Sequence, residues 1–190
     1  MRLFSLFAAG MVAASISLTG CESTAVKTSE AAPKQEAKTV ASTALEIYES
    51  HHEGRINVFY DQATYEEFKQ LGETSYRLTR IGAGPNGETV VFGLPKADKK
   101  KGADTPAAKL WDGKQEFSSF YGEMDKHGRI YVFSDKAEMD HVRALGHPSY
   151  MYTQIGAGPK GETVVYVLNK DNKKKKPVDL IAKFESKHKK

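Results

Sequence analysis

The sequence predicts an α+β protein made of two tandem ββαββ units, preceded by a signal peptide and a flexible tether. Three observations carry this expectation. The first is internal identity at a constant offset, 128 − 54 = 74. Gly54-Arg55-Ile56-Asn57-Val58-Phe59-Tyr60-Asp61 recurs as Gly128-Arg129-Ile130-Tyr131-Val132-Phe133-Ser134-Asp135, and Ile81-Gly82-Ala83-Gly84-Pro85 recurs as Ile155-Gly156-Ala157-Gly158-Pro159. The stretches 54–101 and 128–175 match at 27 of 48 positions without a gap. Two copies are too few for a solenoid. The second observation is the run of β-branched and aromatic residues at matching places in each copy. The third is the Asp-to-Gly punctuation that brackets one helix per copy.

Each element follows from local chemistry. A first strand is expected around residues 45–50 and 117–124, and a second over 55–60 and 129–134. Asp61 and Asp135 then suit helix N-caps, whose carboxylates accept backbone N–H bonds that the first turn leaves open. Glu138, three places after Asp135, fits a capping box in the second copy. The helices run to Leu71 and Leu145, with Gly72 and Gly146 as left-handed stops. Thr64, Phe68 and Leu71 fall on one helix face. Strands containing 76–81 and 150–155 follow. The Gly-Ala-Gly-Pro-x-Gly segments turn the chain, and valine-rich strands return over 88–94 and 162–168. Short amphipathic tails, 107–111 and 180–184, are expected to close each unit as helices. The units span 45–114 and 115–190, the second ending in a basic tail.

The N-terminus has the parts of a secretory signal: Arg2, then an apolar and small-residue run over 3–18, then small residues at Thr19 and Gly20. The run is short for a membrane span, which needs about 20 apolar residues. Leu18-Thr19-Gly20-Cys21 resembles the lipobox of bacterial lipoproteins. The resemblance implies cleavage before Cys21 and acylation of its thiol. Cys21 is the only cysteine, so no internal disulfide forms. Glu22, rather than Asp, follows it, which in the enterobacterial sorting pattern points to the outer membrane. The chain is therefore expected to be lipid-anchored to the cell envelope, at the outer membrane facing the periplasm. Residues 21–44 are rich in Ala, Thr, Ser, Glu and Lys and bury too little to fold, as befits a tether.

Removing residues 1–20 takes one Arg and no acid, leaving 27 − 24 = +3. This mild charge does not suggest nucleic-acid binding. The lysine runs 99–101 and 173–176 leave the last strand of each unit at matching places. They suit a solvated exit that discourages edge aggregation, or attraction to anionic headgroups at about 1 kcal/mol per lysine.

The glycine segments do not read as nucleotide loops, because a strand rather than a helix follows them. No nucleophile–base or paired-carboxylate constellation stands out, and none of the six histidines recurs at the repeat offset. An enzyme and a cofactor are accordingly not expected. Met124, His127, Met139, His141, His147 and Met151 give the second unit a soft-ligand composition that Cu(I) accepts. The segment Gly128–Asp140, with its Gly-Arg-Ile-Tyr-Val-Phe-Ser-Asp start, resembles the strand-then-helix opening of YHS and NosL-type metal-handling domains, although the cysteines those domains use are missing. The charged residues present in both copies are Arg55/Arg129, Glu88/Glu162, Lys96/Lys170, the Asp caps and the lysine runs, and Tyr76/Tyr150 is shared as well. With the caps explained, Arg55, Arg129, Tyr76, Tyr150, Glu88 and Glu162 are the candidate binding residues, and Cys21 is the lipid-attachment residue. The competing structural reading pairs the arginines with the glutamates across strands. The expected function is a non-enzymatic binding or structural module anchored by lipid, with envelope proteins or anionic headgroups as partners. The alternative is a periplasmic small-ligand or copper-type metal-binding lipoprotein.

Overall fold

The structure, a computed structural model, describes residues 43–189. The expected signal peptide, Cys21 and the tether up to residue 42 lie outside the described residues. The fold is mixed α/β, with one eight-stranded sheet and four α-helices among the described residues. The order along the chain is β1 (Ala44–His52), β2 (Arg55–Phe59), α1 (Gln62–Leu71), β3 (Arg77–Arg80), β4 (Thr89–Gly93), α2 (Pro106–Trp111), β5 (Ser119–Lys126), β6 (Arg129–Phe133), α3 (Lys136–Leu145), β7 (Tyr150–Gln154), β8 (Thr163–Leu168) and α4 (Val178–His188). In space the strands run β3-β4-β2-β1-β5-β6-β8-β7. Each half, read outward from the middle, presents its first, second, fourth and third strand.

The halves meet at a parallel ladder between β1 and β5, from Ala44↔Ser119 to Ser50↔Asp125. β1–β2, β3–β4, β5–β6 and β7–β8 pair antiparallel, while β2–β4 and β6–β8 pair parallel. The β1–β2 connection is a tight turn through Glu53 and Gly54. Both have positive φ, 51° and 70°, as do His127 and Gly128 between β5 and β6 at 54° and 70°. Two successive left-handed residues match the twist of a hairpin, and glycine takes the second place without steric cost.

Helices cover both faces, so the central strands are buried on both sides and read as continuous apolar runs. Leu45, Ile47, Ile56, Val58 and Phe92 face α2 and α3. Tyr48, Phe59, Tyr121, Val132 and Tyr166 face α1 and α4. Leu180, Ile181 and Phe184 of α4 are buried, and each such side chain contributes at most about 1.5–3 kcal/mol. Tyr65 of α1 stacks on Tyr48 at 5.2 Å. On the other face Gly122 leaves room for Met139 of α3, whose sulfur would lie 2.7 Å from a Cβ there.

The caps form as their residues suggest. Asp61 accepts from Thr64 N at 2.8 Å, and Asp135 from Ala137 N at 2.8 Å. Gly72 and Gly146 end their helices at φ 78° and 87°. The valine pairs Val90-Val91 and Val164-Val165 lie in β4 and β8. Four details depart from the expectation. Asp135 caps alone, without a return bond from Glu138. Leu71 is 66% exposed, so the Thr64–Phe68–Leu71 stripe packs only through buried Thr64 and half-buried Phe68, with buried Tyr65 beside them. β3 is shorter than 76–81: it spans Arg77–Arg80, with one further rung in which Leu94 N donates to Tyr76 O at 2.9 Å, and Ile81 has turned out to solvent. β1 is longer than expected, running through His52 into the tight turn.

Candidate functional site

The glycine segments are hairpin turns clamped by their own glutamates. Gly84 N donates to Glu88 O at 2.9 Å, Gly87 N to Gly84 O at 3.1 Å, and Asn86 N to Glu88 Oε2 at 2.8 Å. Gly158, Gly161, Lys160 and Glu162 repeat the pattern at 2.9, 2.9 and 2.8 Å. A Cβ on Gly84 would run into the Glu88 carboxylate and lie 2.9 Å from its Cβ. Glu88 and Glu162 thus have a structural task, though not the cross-strand pairing with arginine. Burial works against ionisation of Glu88, but the Asn86 donors outweigh it and lower its pKa.

Tyr76 and Tyr150 hold the lysine runs. Lys99 Nζ lies 5.4 Å from the Tyr76 ring, and Lys173 Nζ lies 4.4 Å from the Tyr150 ring while donating to its hydroxyl at 3.2 Å. One lysine of each run is therefore laid on an aromatic face, a cation–π contact of about 0.5–1 kcal/mol at exposed sites. Arg55 and Arg129 are exposed at the starts of β2 and β6, and neither forms an ion pair or hydrogen bond among the described residues. Arg55 lines a cleft of about 520 Å³ on the α1 face of β2, β4 and β3, beside the C-terminal end of α1. The six candidates thus separate into three kinds of place rather than one shared site.

Two residues that matter were missed. Glu49 and Glu123 stand 74 places apart in the sequence, the offset of the internal identity, and are the fully buried carboxylates among the described residues. Glu49 faces α3. Arg143 Nη2 donates to its Oε1 at 2.5 Å, and His51 Nε2 sits 3.0 Å from Oε2. Burial alone would raise the Glu49 pKa, but the Arg143 guanidinium and His51 hold it down at about 2. Arg143 also bonds Asp140 and lies 4.6 Å from the Trp111 ring. Glu123 faces α4 on the opposite side of the sheet. It accepts from the Tyr121 hydroxyl at 2.6 Å and meets His188 Nε2 at 3.0 and 3.1 Å. The signal was present in the sequence: upstream of Gly54 and Gly128, Glu49/Glu123 is the one identity across ten positions.

Two grooves flank these networks. One, of about 370 Å³, lies between α2, α3 and the first glycine turn, with Trp111, Pro85 and Arg143 in its walls. The other, of about 540 Å³, lies between α1, α4 and the second glycine turn, with Tyr65, Pro159 and Lys187. Each glycine turn therefore flanks a helix of the opposite half, and Asn86 Nδ2 reaches Ala144 O at 3.5 Å.

The soft residues of the second unit are dispersed. Met124 and Met139 are sealed in the core, Met151 lies exposed on edge strand β7, and His127 occupies a hairpin turn. Among the described residues no three His, Cys, Asp or Glu side chains gather to hold a metal ion, and no helix is long and apolar enough to cross a membrane. Comparison with protein-family models, curated proteins and solved structures finds no match.

Proposed function

We propose that this chain is a lipid-anchored envelope lipoprotein whose folded part is a non-enzymatic binding module, built by duplication of a ββαββ unit. The anchor is Cys21, in the lipobox-like Leu18-Thr19-Gly20-Cys21. The Ala, Thr, Ser, Glu and Lys composition of the segment after Cys21 suits a tether to the outer membrane. The duplication reading draws on the constant-offset identity and on the matching strand orders of the two halves. Neighbouring equivalent strands that run parallel are related by a half-turn about an axis along the strands. Such a turn exchanges the two faces of the sheet, consistent with α1 lying on one face and α3 on the other.

One observation carries the binding reading. The buried carboxylates Glu49 and Glu123 are each held by partners on neighbouring elements, while Arg55 is left unpaired at an open cleft. Charges engaged inside serve the fold; charges unengaged at a concave surface serve a ligand or partner, here envelope proteins or anionic groups.

Two measurements on the intact chain test this. Radioactive fatty acid should label the wild type and not Cys21→Ser, which should leave the membrane fraction with its folded part unaltered. Label retained in Cys21→Ser refutes the anchor. Capture from solubilised envelopes should return a defined partner or acidic component. Capture unchanged by substitution of Arg55 removes that residue from the binding surface.

A further inference from the structure

The cleft at Arg55 has a floor set by strand register. Arg55 pairs with Thr89, Asn57 with Val91, Thr79 with Val91 and Arg77 with Gly93, so these residues share one face of β2, β4 and β3. All of them but Gly93 line the cleft, and the segment after α1 closes it with Thr74 and Glu73, beside the Phe68 ring. Neither Arg55 nor Arg77 has an ion pair or hydrogen bond among the described residues, and Glu73 is paired with neither. Beneath them two polar side chains are more than nine-tenths buried: Asn57 and Thr74, each 8% exposed. Asn57 Nδ2 donates to Ser50 O at 3.3 Å, and the Thr74 hydroxyl has no partner among the described residues.

The matching face of the second half is different. Arg129 is kept, but Tyr131 replaces Asn57, Met151 replaces Arg77 and Pro148 replaces Thr74. Tyr131 is buried and belongs to the core. The polar cleft is therefore a property of the first half, and structural upkeep of the unit does not require it.

We propose that this cleft binds an acidic saccharide, a sugar ring carrying a phosphate or carboxylate group. This deepens the binding reading above and rests on it. Arg55 and Arg77 enter from opposite corners of the cleft, two strands and four places of β4 apart, and either guanidinium fork suits an oxoanion, which it grips through paired N–H donors. A lone phosphate would fill little of about 520 Å³, a volume in the range of small-molecule sites. The remaining polar lining is the Glu73 carboxylate at one wall and the hydroxyl and amide groups of Thr74, Thr79, Thr89 and Asn57, which exchange hydrogen bonds with sugar hydroxyls. Phe68 supplies an apolar face for the ring.

The test is calorimetric titration of the full-length chain in detergent with glucose 6-phosphate, glucuronate, inorganic phosphate and glucose. Glucose 6-phosphate or glucuronate should bind, inorganic phosphate more weakly, and glucose without measurable heat. Arg77→Met, which copies the equivalent residue of the second half, and Arg55→Ala should each weaken binding roughly tenfold or more while leaving the melting temperature unchanged. Asn57→Tyr should close the cleft; because it alters a buried position, the two exposed arginine variants decide the matter alone. Capture on vesicles carrying a phosphorylated glycolipid, competed by glucose 6-phosphate, assigns the ligand to a membrane. Binding of the free sugar without vesicle capture assigns it to a soluble source. No heat with either acidic sugar at millimolar concentration, or undiminished binding in the Arg55→Ala/Arg77→Met double variant, overturns the proposal. Fatty-acid labelling at Cys21 is read separately, so failure here leaves the anchor standing.

Discussion

Arg143→Met tests the network around Glu49 most directly. The variant keeps much of the side-chain volume against Trp111 but leaves a fully buried carboxylate with only His51 beside it. The size of the effect can be reached in two ways. Holding Glu49 at about 2 instead of its ordinary 4.5 corresponds to about 3 kcal/mol at neutral pH. Breaking one side of a buried ion pair costs about 3–5 kcal/mol. For a domain of this size either figure lowers the melting temperature by roughly 10 °C. The pH dependence carries the sharper signature. In the wild type the Glu49 pKa is depressed, so its stabilisation is present above pH 4.5 and is lost as pH falls toward 2. Without Arg143, burial is opposed by His51 alone, and the pKa is expected to move up to or beyond its ordinary 4.5. Stability is then lost as pH rises through that value, so the deficit of the variant is largest at neutral pH and shrinks toward acid. Thermal melts of both proteins by circular dichroism between about pH 4 and 8 read this out. Parallel curves with equal melting temperatures would falsify the claim that Arg143 compensates Glu49. Glu49→Leu with Arg143→Met should recover most of the loss, since a buried pair replaced by apolar groups is often neutral or stabilising.

Further outcomes follow from single features. Gly84→Ala should destabilise the first glycine turn, because its Cβ would collide with Glu88; hydrogen exchange should show faster exchange at Asn86 and Gly87, and unaltered exchange would remove the clamp. The Tyr166 hydroxyl is buried beneath α4 without a partner among the described residues, and Phe92 stands 74 places earlier in the sequence. Tyr166→Phe should therefore raise stability by about 1 kcal/mol in chemical denaturation, whereas a loss of that size would reveal a partner for the hydroxyl.

Much of the fold was legible because local chemistry and tertiary demand agree. Asp61, Gly72 and their counterparts punctuate helices through bonds made within a turn or so of the chain. Glu53-Gly54 and His127-Gly128 specify their turns in the same local way. The joining of β1 to β5 was not legible, since parallel pairing follows from burial on both faces and leaves no short-range mark. In that ladder Ala44 faces Ser119, an offset of 119 − 44 = 75, one more than the repeat. A slip of one place moves a side chain to the other face of a sheet, which is how Glu49 and Glu123 come to face opposite helical layers. The candidate site was legible only in part. Identity between copies selects what both units need, so it picked out Glu88 and Tyr76 and the structural tasks they share. A cleft confined to one half leaves its mark in the differences instead, at Asn57, Thr74 and Arg77.

The β1–β5 ladder also governs the order in which the molecule can be completed. β1 is among the first segments of the folded part to leave the ribosome, and its neighbour β5 follows after a lag of roughly 4–15 s at ordinary synthesis rates. Until then the apolar strand has β2 on one side and an open edge on the other. An open edge accepts any copy of β5, including one from a second chain. Concentrated refolding should therefore yield exchanged dimers in which each β1 lies against the partner's β5, and dilution before the second half forms should suppress them.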